Sequence, residues 1–265
     1  MKIGFVGIGK LGMPCAEVMS KKGHDVSGYD IEKRTSSTIN VCSSIQETIE
    51  NKDIVFVAVP TPHDQQYDGC APTAHLEPKD FDYTMVRDVL TEADQYMNSD
   101  QLLVLISTVM PGTVRRELKP LVKNARFVYN PYLIAMGSVA WDMVNPEMVM
   151  IGSETGDDPA MHQLIDIYKK MMTNDPRYVT GTWDECEAIK IFYNTFISAK
   201  VGLANMIQDF AQRIGNIDVD VVTDALANST MRIMGPKYMT AGMGDAGACH
   251  PRDNIALRWL AEEYD

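Results

Sequence analysis

The stretch that most constrains the fold is Gly7-Ile8-Gly9-Lys10-Leu11-Gly12. It follows the short apolar run Lys2–Val6 and opens a helical pattern from Leu11 to Lys22. Glycines at this spacing, between a strand and a helix, have separate jobs. The first permits the tight turn, the second lets backbone approach a pyrophosphate, and the third lets helix and strand pack closely. The pyrophosphate would rest on the helix N-terminus, where free N–H groups and the dipole favour negative charge. Asp30 closes the next apolar run, His24–Tyr29. A carboxylate there accepts hydrogen bonds from a ribose 2′-hydroxyl and repels a 2′-phosphate, which points to NAD over NADP; Lys33 and Arg34 just beyond soften that preference. The plain alternative is a generic glycine turn of an α/β protein. Because Gly7, Gly9 and Lys10 interrupt the N-terminal apolar stretch, it reads as strand and turn, not as a targeting segment.

Further strands are expected at Asp53–Val59, Leu102–Ser107, Arg126–Tyr129 and Met148–Ile151, with a helix over about 83–97. A loop rich in Pro, Asp, Gln and Gly runs from Thr61 to about Lys79. Strand–helix–strand alternation predicts a Rossmann-type, doubly wound parallel sheet covered on both faces. The pattern changes near Thr180. Ala188, Phe192, Phe196, Ala199, Leu203, Met206, Ile207 and Phe210 keep a three-to-four spacing and predict one long helix, Asp184 to about Ile214. Gly215 would stop it, Asp218 would cap another helix to about Asn228, and a final helix would begin near Arg252. The expected division is a dinucleotide-binding domain, 1–180, and a small all-helical substrate and dimerisation domain, 181–265. The width of the long helix's apolar face predicts a homodimer.

A net charge of −12 argues against bulk nucleic-acid binding, and no apolar run is long enough for a bilayer span. Five widely spaced cysteines, Cys15, Cys42, Cys70, Cys186 and Cys249, without CxxC suggest reduced thiols in a cytoplasmic protein. Five histidines without HxH or HExxH spacing give no expectation of a metal.

Two clusters bear on chemistry. Glu187, Lys190 and Asn194 share one helix face; a lysine and an amide one turn apart can bind a substrate oxygen and stabilise charge developing on it, although a solvated polar face has the same pattern. Cys249 follows a run of glycine and alanine, including Gly244 and Gly247, that leaves room for a ligand to approach the backbone. Arg252 and a helix start lie beside it, and both favour thiolate. Asp253 is placed to orient a lysine or accept a proton. His250 is a bystander or a substrate contact, because neighbouring side chains in a turn point apart. A lone cysteine is otherwise a small buried hydrophobe.

With these residues in view, the chain resembles the UDP-glucose/GDP-mannose dehydrogenase family. The matching blocks, in order, are GIGKLG with Asp30, VPTP (Val59–Pro62), STVMPGT (Ser107–Thr113), the NP pairs at Asn130-Pro131 and Asn145-Pro146, EAIKIFYN (Glu187–Asn194), Arg232-Ile233 and GMGDAGACHPRD (Gly242–Asp253). The family oxidises a sugar primary alcohol to a carboxylate with two NAD. The resemblance implies that Cys249 attacks the aldehyde to give a thiohemiacetal, then a thioester that water cleaves. It implies that Lys190 and Asn194 stabilise the oxyanion, and that Thr108 and Asp253 position water and Lys190. Val59, Pro60, Thr61, Ser107 and Thr108 would flank the cofactor, together with Gly7, Gly9, Lys10, Leu11, Gly12, Asp30 and Arg34. Tyr132, Arg232 and the loop with Gly244 and Gly247 would hold the sugar.

The pattern is broken in three places. Two glutamates of the family, one linked to thioester hydrolysis, are replaced by Tyr132 and Met136. Asp245 and Ala246 stand where the family has an aromatic residue and a glycine. The sequence ends at Asp265, where the family usually continues into a third domain that helps bind the nucleotide. Two alternatives stay open. One is a two-electron dehydrogenase of the β-hydroxyacid type, with Lys190 as its polar catalyst and Cys249 incidental. The other is a non-catalytic NAD-binding protein.

Overall fold

The structure is a computed structural model that describes residues 1–64, 66, 75–244, 247 and 249–264. Cys70, Asp245 and Ala246 lie outside the described residues. The chain divides into two compact units, Met1–Tyr193 and Asn194–Asp265.

The first unit is built on eight strands: β1 (Lys2–Val6), β2 (Asp25–Tyr29), β3 (Asn40–Val41), β4 (Ile54–Val57), β5 (Leu102–Leu105), β6 (Arg126–Tyr129), β7 (Met148–Ser153) and β8 (Arg177–Thr182), in the spatial order 3-2-1-4-5-6-7-8. Every side chain of β4 and β5 is 0% exposed, as expected of strands covered on both faces. Alternate residues supply the two faces. Ile54 and Phe56 pack toward α1 (Gly12–Lys21), α4 (Val139–Val144) and α5 (Pro159–Met171), where Phe56 stacks on Phe5 at 4.8 Å. Val55 and Val57 pack toward α2 (Ile45–Ile49), α3 (Thr84–Gln95) and the first turn of α6 (Trp183–Ile214). Such a pattern follows directly from the two-residue period of a strand.

The sheet is mostly parallel, as the Rossmann-type expectation has it, with one exception. β6 and β7 pair antiparallel through Tyr129 and Gly152, and β8 then runs parallel to β7. An apolar run reports burial and carries no direction. The chain runs from β1 outward to β3, then returns to β4 on the other side of β1. That reversal opens a crevice at the carboxyl ends of β1 and β4, the place where open α/β sheets bind ligands.

The second unit continues α6 past Asn194 and adds α7 (Val219–Ala227) and α8 (Cys249–Glu263). Gly215 ends α6 at φ +73°, its N–H on the Ala211 carbonyl at 3.1 Å, and the Asp218 carboxylate caps α7 through the Asp220 N–H. The last helix starts at Cys249, three residues before the expected start, so Pro251 falls in its first turn, where a missing N–H costs nothing.

Candidate active site

The glycine motif sits at the switch point. Gly7 leaves β1 at φ +93°, with its N–H on the Tyr29 carbonyl at 2.8 Å. A Cβ on Gly12 would lie 1.8 Å from the Gly7 carbonyl oxygen, so only glycine lets the helix start this close to the strand. A Cβ on Gly9 would meet only the Asp30 carboxylate, at 3.8 Å. No side chain caps the amino end of α1, and no acidic residue stands in its first turn. Met13 already donates its N–H to the Gly9 carbonyl at 3.1 Å and Pro14 has none, which leaves the Gly12 N–H and the helix dipole to face an anion. Lys10 is exposed beside them, and Leu11 packs against the core. Asp30, at the end of β2, accepts the Glu32 N–H at 3.0 Å and lies 3.8 Å from Arg34, which pairs with Glu32. A close backbone cradle, an uncapped helix and a carboxylate at the neighbouring strand end fit the pyrophosphate and ribose of NAD.

The loops after β4 and β5 close the same rim. The Ser107 hydroxyl donates to the Val59 carbonyl at 2.6 Å, and the Thr61 hydroxyl donates to the Thr108 carbonyl at 2.7 Å. Val59, Pro60, Thr61, Ser107 and Thr108 thus form one tied edge.

Lys190, on the second turn of α6, reaches the loop after β6, where its ammonium donates to the Tyr132 carbonyl at 2.7 Å. Burial lowers the Lys190 pKa from its ordinary value. The Tyr132 side chain packs against the core. Its oxygen lies 2.9 Å from that of Tyr168, which donates to Asn130, and Asn130 donates to the Met150 carbonyl at 2.6 Å. Burial holds both phenols above their ordinary range, so neither is a base near neutral pH. Tyr132 therefore does not replace the carboxylate that the family pattern would place there. Met136 is 60% exposed and offers no proton acceptor. The cavity beside Tyr132, Ile134 and Met143 measures only about 20 Å³, room for a water and no more. A wider groove of about 920 Å³ includes Lys2, Asp25, Lys52 and Asp53, at the amino ends of the strands and away from the glycine turn.

Glu187 is the residue whose role sequence reasoning missed. Grouped there with Lys190 and Asn194 as a polar face, it is fully buried. One carboxylate oxygen accepts the Gly112 N–H at 2.5 Å, and the other accepts the Val114 N–H at 2.7 Å. Burial pushes its pKa up to about 7, against the pull of these donors and of Arg116. The available signal was a carboxylate directly between Cys186 and Ala188, on the helix stripe that continues Trp183 into the core.

In the second unit, Asn194 is exposed one turn beyond Lys190 along α6. Cys249 is an exposed free thiol at the first position of α8. His250 packs edge-on against Tyr238 at 6.0 Å. Both Nε and Nη2 of Arg252 donate to one oxygen of Asp253. Arg232 is exposed, and Gly244 and Gly247 adopt positive φ in open space.

Comparison with known proteins bears on both units. Residues 32–172 match the NAD-binding domain of the UDP-glucose/GDP-mannose dehydrogenase family, and residues 184–265 match its central domain. A UDP-glucose 6-dehydrogenase from Rhizobium meliloti is 25% identical over 296 residues, covering 100% of this chain and 64% of that protein. In fold, the chain resembles a ternary complex of GDP-mannose dehydrogenase from Pseudomonas aeruginosa, with a TM-score of 0.86 at 24% identity over 100% of this chain and 65% of that one. A UDP-glucose dehydrogenase from Pyrobaculum islandicum aligns with a TM-score of 0.70 at 25% identity, over 99% of this chain and 64% of that one. The chain thus spans just under two thirds of each of these relatives. Among the described residues no helix is long and apolar enough to cross a membrane. With the two family domains matched in order over most of its length, the chain belongs to the UDP-glucose/GDP-mannose dehydrogenase family.

Proposed function

We propose that this chain oxidises the primary alcohol of a nucleotide sugar to the carboxylate, with residues 1–180 binding NAD and residues 181–265 engaging the sugar. The observation that carries the reading is the half-buried Lys190 ammonium, held at 2.7 Å on the Tyr132 carbonyl in the same compact unit as the glycine cradle and Asp30. Bound NAD supplies a hydride acceptor, and the full oxidation consumes two of them.

The protein's residues do the rest. Gly7, Gly9 and Gly12 admit the pyrophosphate, Asp30 orients the ribose, and the tied edge of Val59–Thr61 with Ser107 and Thr108 flanks the cofactor. Lys190 and Asn194 stabilise the alkoxide as the alcohol loses its proton and hydride. Sγ of Cys249, as thiolate, adds to the resulting aldehyde carbon, and the thiohemiacetal oxygen takes up a proton. Loss of that proton and a second hydride leaves a thioester. Water positioned by Thr108 and Asp253 adds to its carbonyl, its two protons pass to solvent, the C–S bond breaks, and the carboxylate departs with the thiolate restored. Tyr132, Arg232 and the loop containing Gly244 and Gly247 contact the sugar.

The two-electron alternative keeps one observation in its favour: the two family glutamates, one of them linked to hydrolysis, are replaced by a phenol and a methionine. The test is the number of NADH formed per UDP- or GDP-sugar consumed, with the native chain and Cys249→Ala. Two NADH, lost in the variant, supports the thioester route. One NADH, unaffected by the variant, makes Cys249 incidental. Tight NAD binding without turnover of any such sugar rejects the reading.

A further inference from the structure

Lys190 does not stand alone on its helix. One turn before it, both oxygens of the buried Glu187 carboxylate accept backbone N–H groups from the loop after β5, at Gly112 and Val114. These donors open a short helical turn, Val114–Leu118, whose own preceding residue, Thr113, supplies no side-chain cap. Glu187 is therefore a cap lent by another element, 73 to 75 residues away in sequence. Two short bonds, one to each carboxyl oxygen, in a buried setting hold position better than surface contacts. The same two elements share a second tie, Arg115 to Asp184 at 2.8 Å, but both of its side chains are exposed, where an ion pair contributes little.

We propose that Glu187 is a positioning residue: it locks the loop that begins at Ser107 and Thr108 to the helix turn bearing Lys190, so that the cofactor-flanking loop and the Lys190 ammonium move as one body. The inference rests on the proposed roles of Thr108 and Lys190. Lys190 extends the same bracing to the loop after β6 through the Tyr132 carbonyl. The first two turns of α6 thus hold two adjacent strand-end loops at once.

Removing the clamp does not release the whole loop. The Met110 N–H remains on the Tyr83 hydroxyl at 3.1 Å and Ser107 remains on Val59, so Glu187→Gln is expected to fold. The test compares native chain, Glu187→Gln and Asp184→Asn. Steady-state rates with a UDP- or GDP-sugar are combined with NAD titration and with backbone amide exchange, each measured with and without NAD. In Glu187→Gln, kcat should fall by about a hundredfold, as a misplacement near 1 Å can produce. NAD affinity should stay within about twofold, a split between kcat and KM that general destabilisation does not give. The Gly112 and Val114 amides should exchange faster, and the protection that NAD confers on residues 186–192 in the native chain should disappear. Asp184→Asn should leave every readout within about twofold.

The proposal is overturned if Glu187→Gln keeps its kcat, or if NAD still protects residues 186–192 in that variant. It is also overturned if NAD leaves those amides unchanged in the native chain. Should the native chain turn over none of the sugars, the proposed function fails, and the exchange results alone then decide the clamp.

Discussion

Among single residues, Glu187 carries a clear pH signature. Its carboxyl is pushed from an ordinary 4.5 up to about 7, first by burial and then by Asp184, while the Val114 and Gly112 N–H groups and Arg116 oppose the shift. Tyr129, Cys186 and Arg115 also face it, as their own shifts show. The sign follows from proton counting. Between pH 4.5 and about 7 the native state keeps a proton that the unfolded chain has released, so stability falls as pH rises through that window. Denaturant unfolding near pH 5 and near pH 7.5 should differ by on the order of 2 kcal/mol in favour of the acid side, and Glu187→Gln should flatten that difference. An unchanged slope in the variant would assign the effect to another group. Lys190 lies one turn away with its pKa lowered by burial, so helix geometry places two desolvated groups of opposite sign on one stripe.

At the scale of elements, the contrast lies between helix starts. Asp158 and Asp218 cap α5 and α7 with side-chain oxygens, as helices normally require. The amino end of α1 is left without a side-chain cap or an acid in its first turn, and Lys10 is exposed just before it. A helix start without a capping side chain costs the empty protein some stability and suits a pyrophosphate. Lys10→Glu should therefore stabilise the unliganded chain by roughly 0.3–1 kcal/mol through the helix dipole. The same carboxylate should weaken NAD binding by about tenfold through repulsion. Thermal melts without cofactor and NAD titration would read the two effects separately; a variant that gains no stability, or binds NAD as before, would show that the helix start is not the anion site.

For the whole molecule, the second unit raises a question of burial. Ala211 is the only buried residue among its described ones, whereas Phe196, Val201, Met231 and Ile255 are exposed by half or more. A helical unit without a core of its own leaves large apolar side chains in water, which is the usual mark of an association surface. We predict that the native chain forms a homodimer through α6 and that Phe196→Glu shifts it toward monomer. Sedimentation equilibrium across a concentration series measures this directly, and a native chain that stays monomeric at every concentration rejects it.

The local chemistry was legible in the order of residues. Gly7, Gly9 and Gly12 announced the strand-to-helix turn because no side chain fits there, and the alternating faces of β4 and β5 announced a buried sheet because every position was apolar. The span of α6 followed from its three-to-four spacing, which is a property of one helix and needs no neighbour. β8 was not legible: its residues are half-buried or exposed at the edge, and partial burial leaves no hydrophobic signature. The antiparallel junction of β6 and β7 was hidden because strand direction is set by how the chain returns, not by composition. Only the tertiary structure set Glu187 on the Gly112 and Val114 N–H groups and the Lys190 ammonium on the Tyr132 carbonyl. Partners so far apart in sequence meet only once the chain has packed, so no local pattern records them.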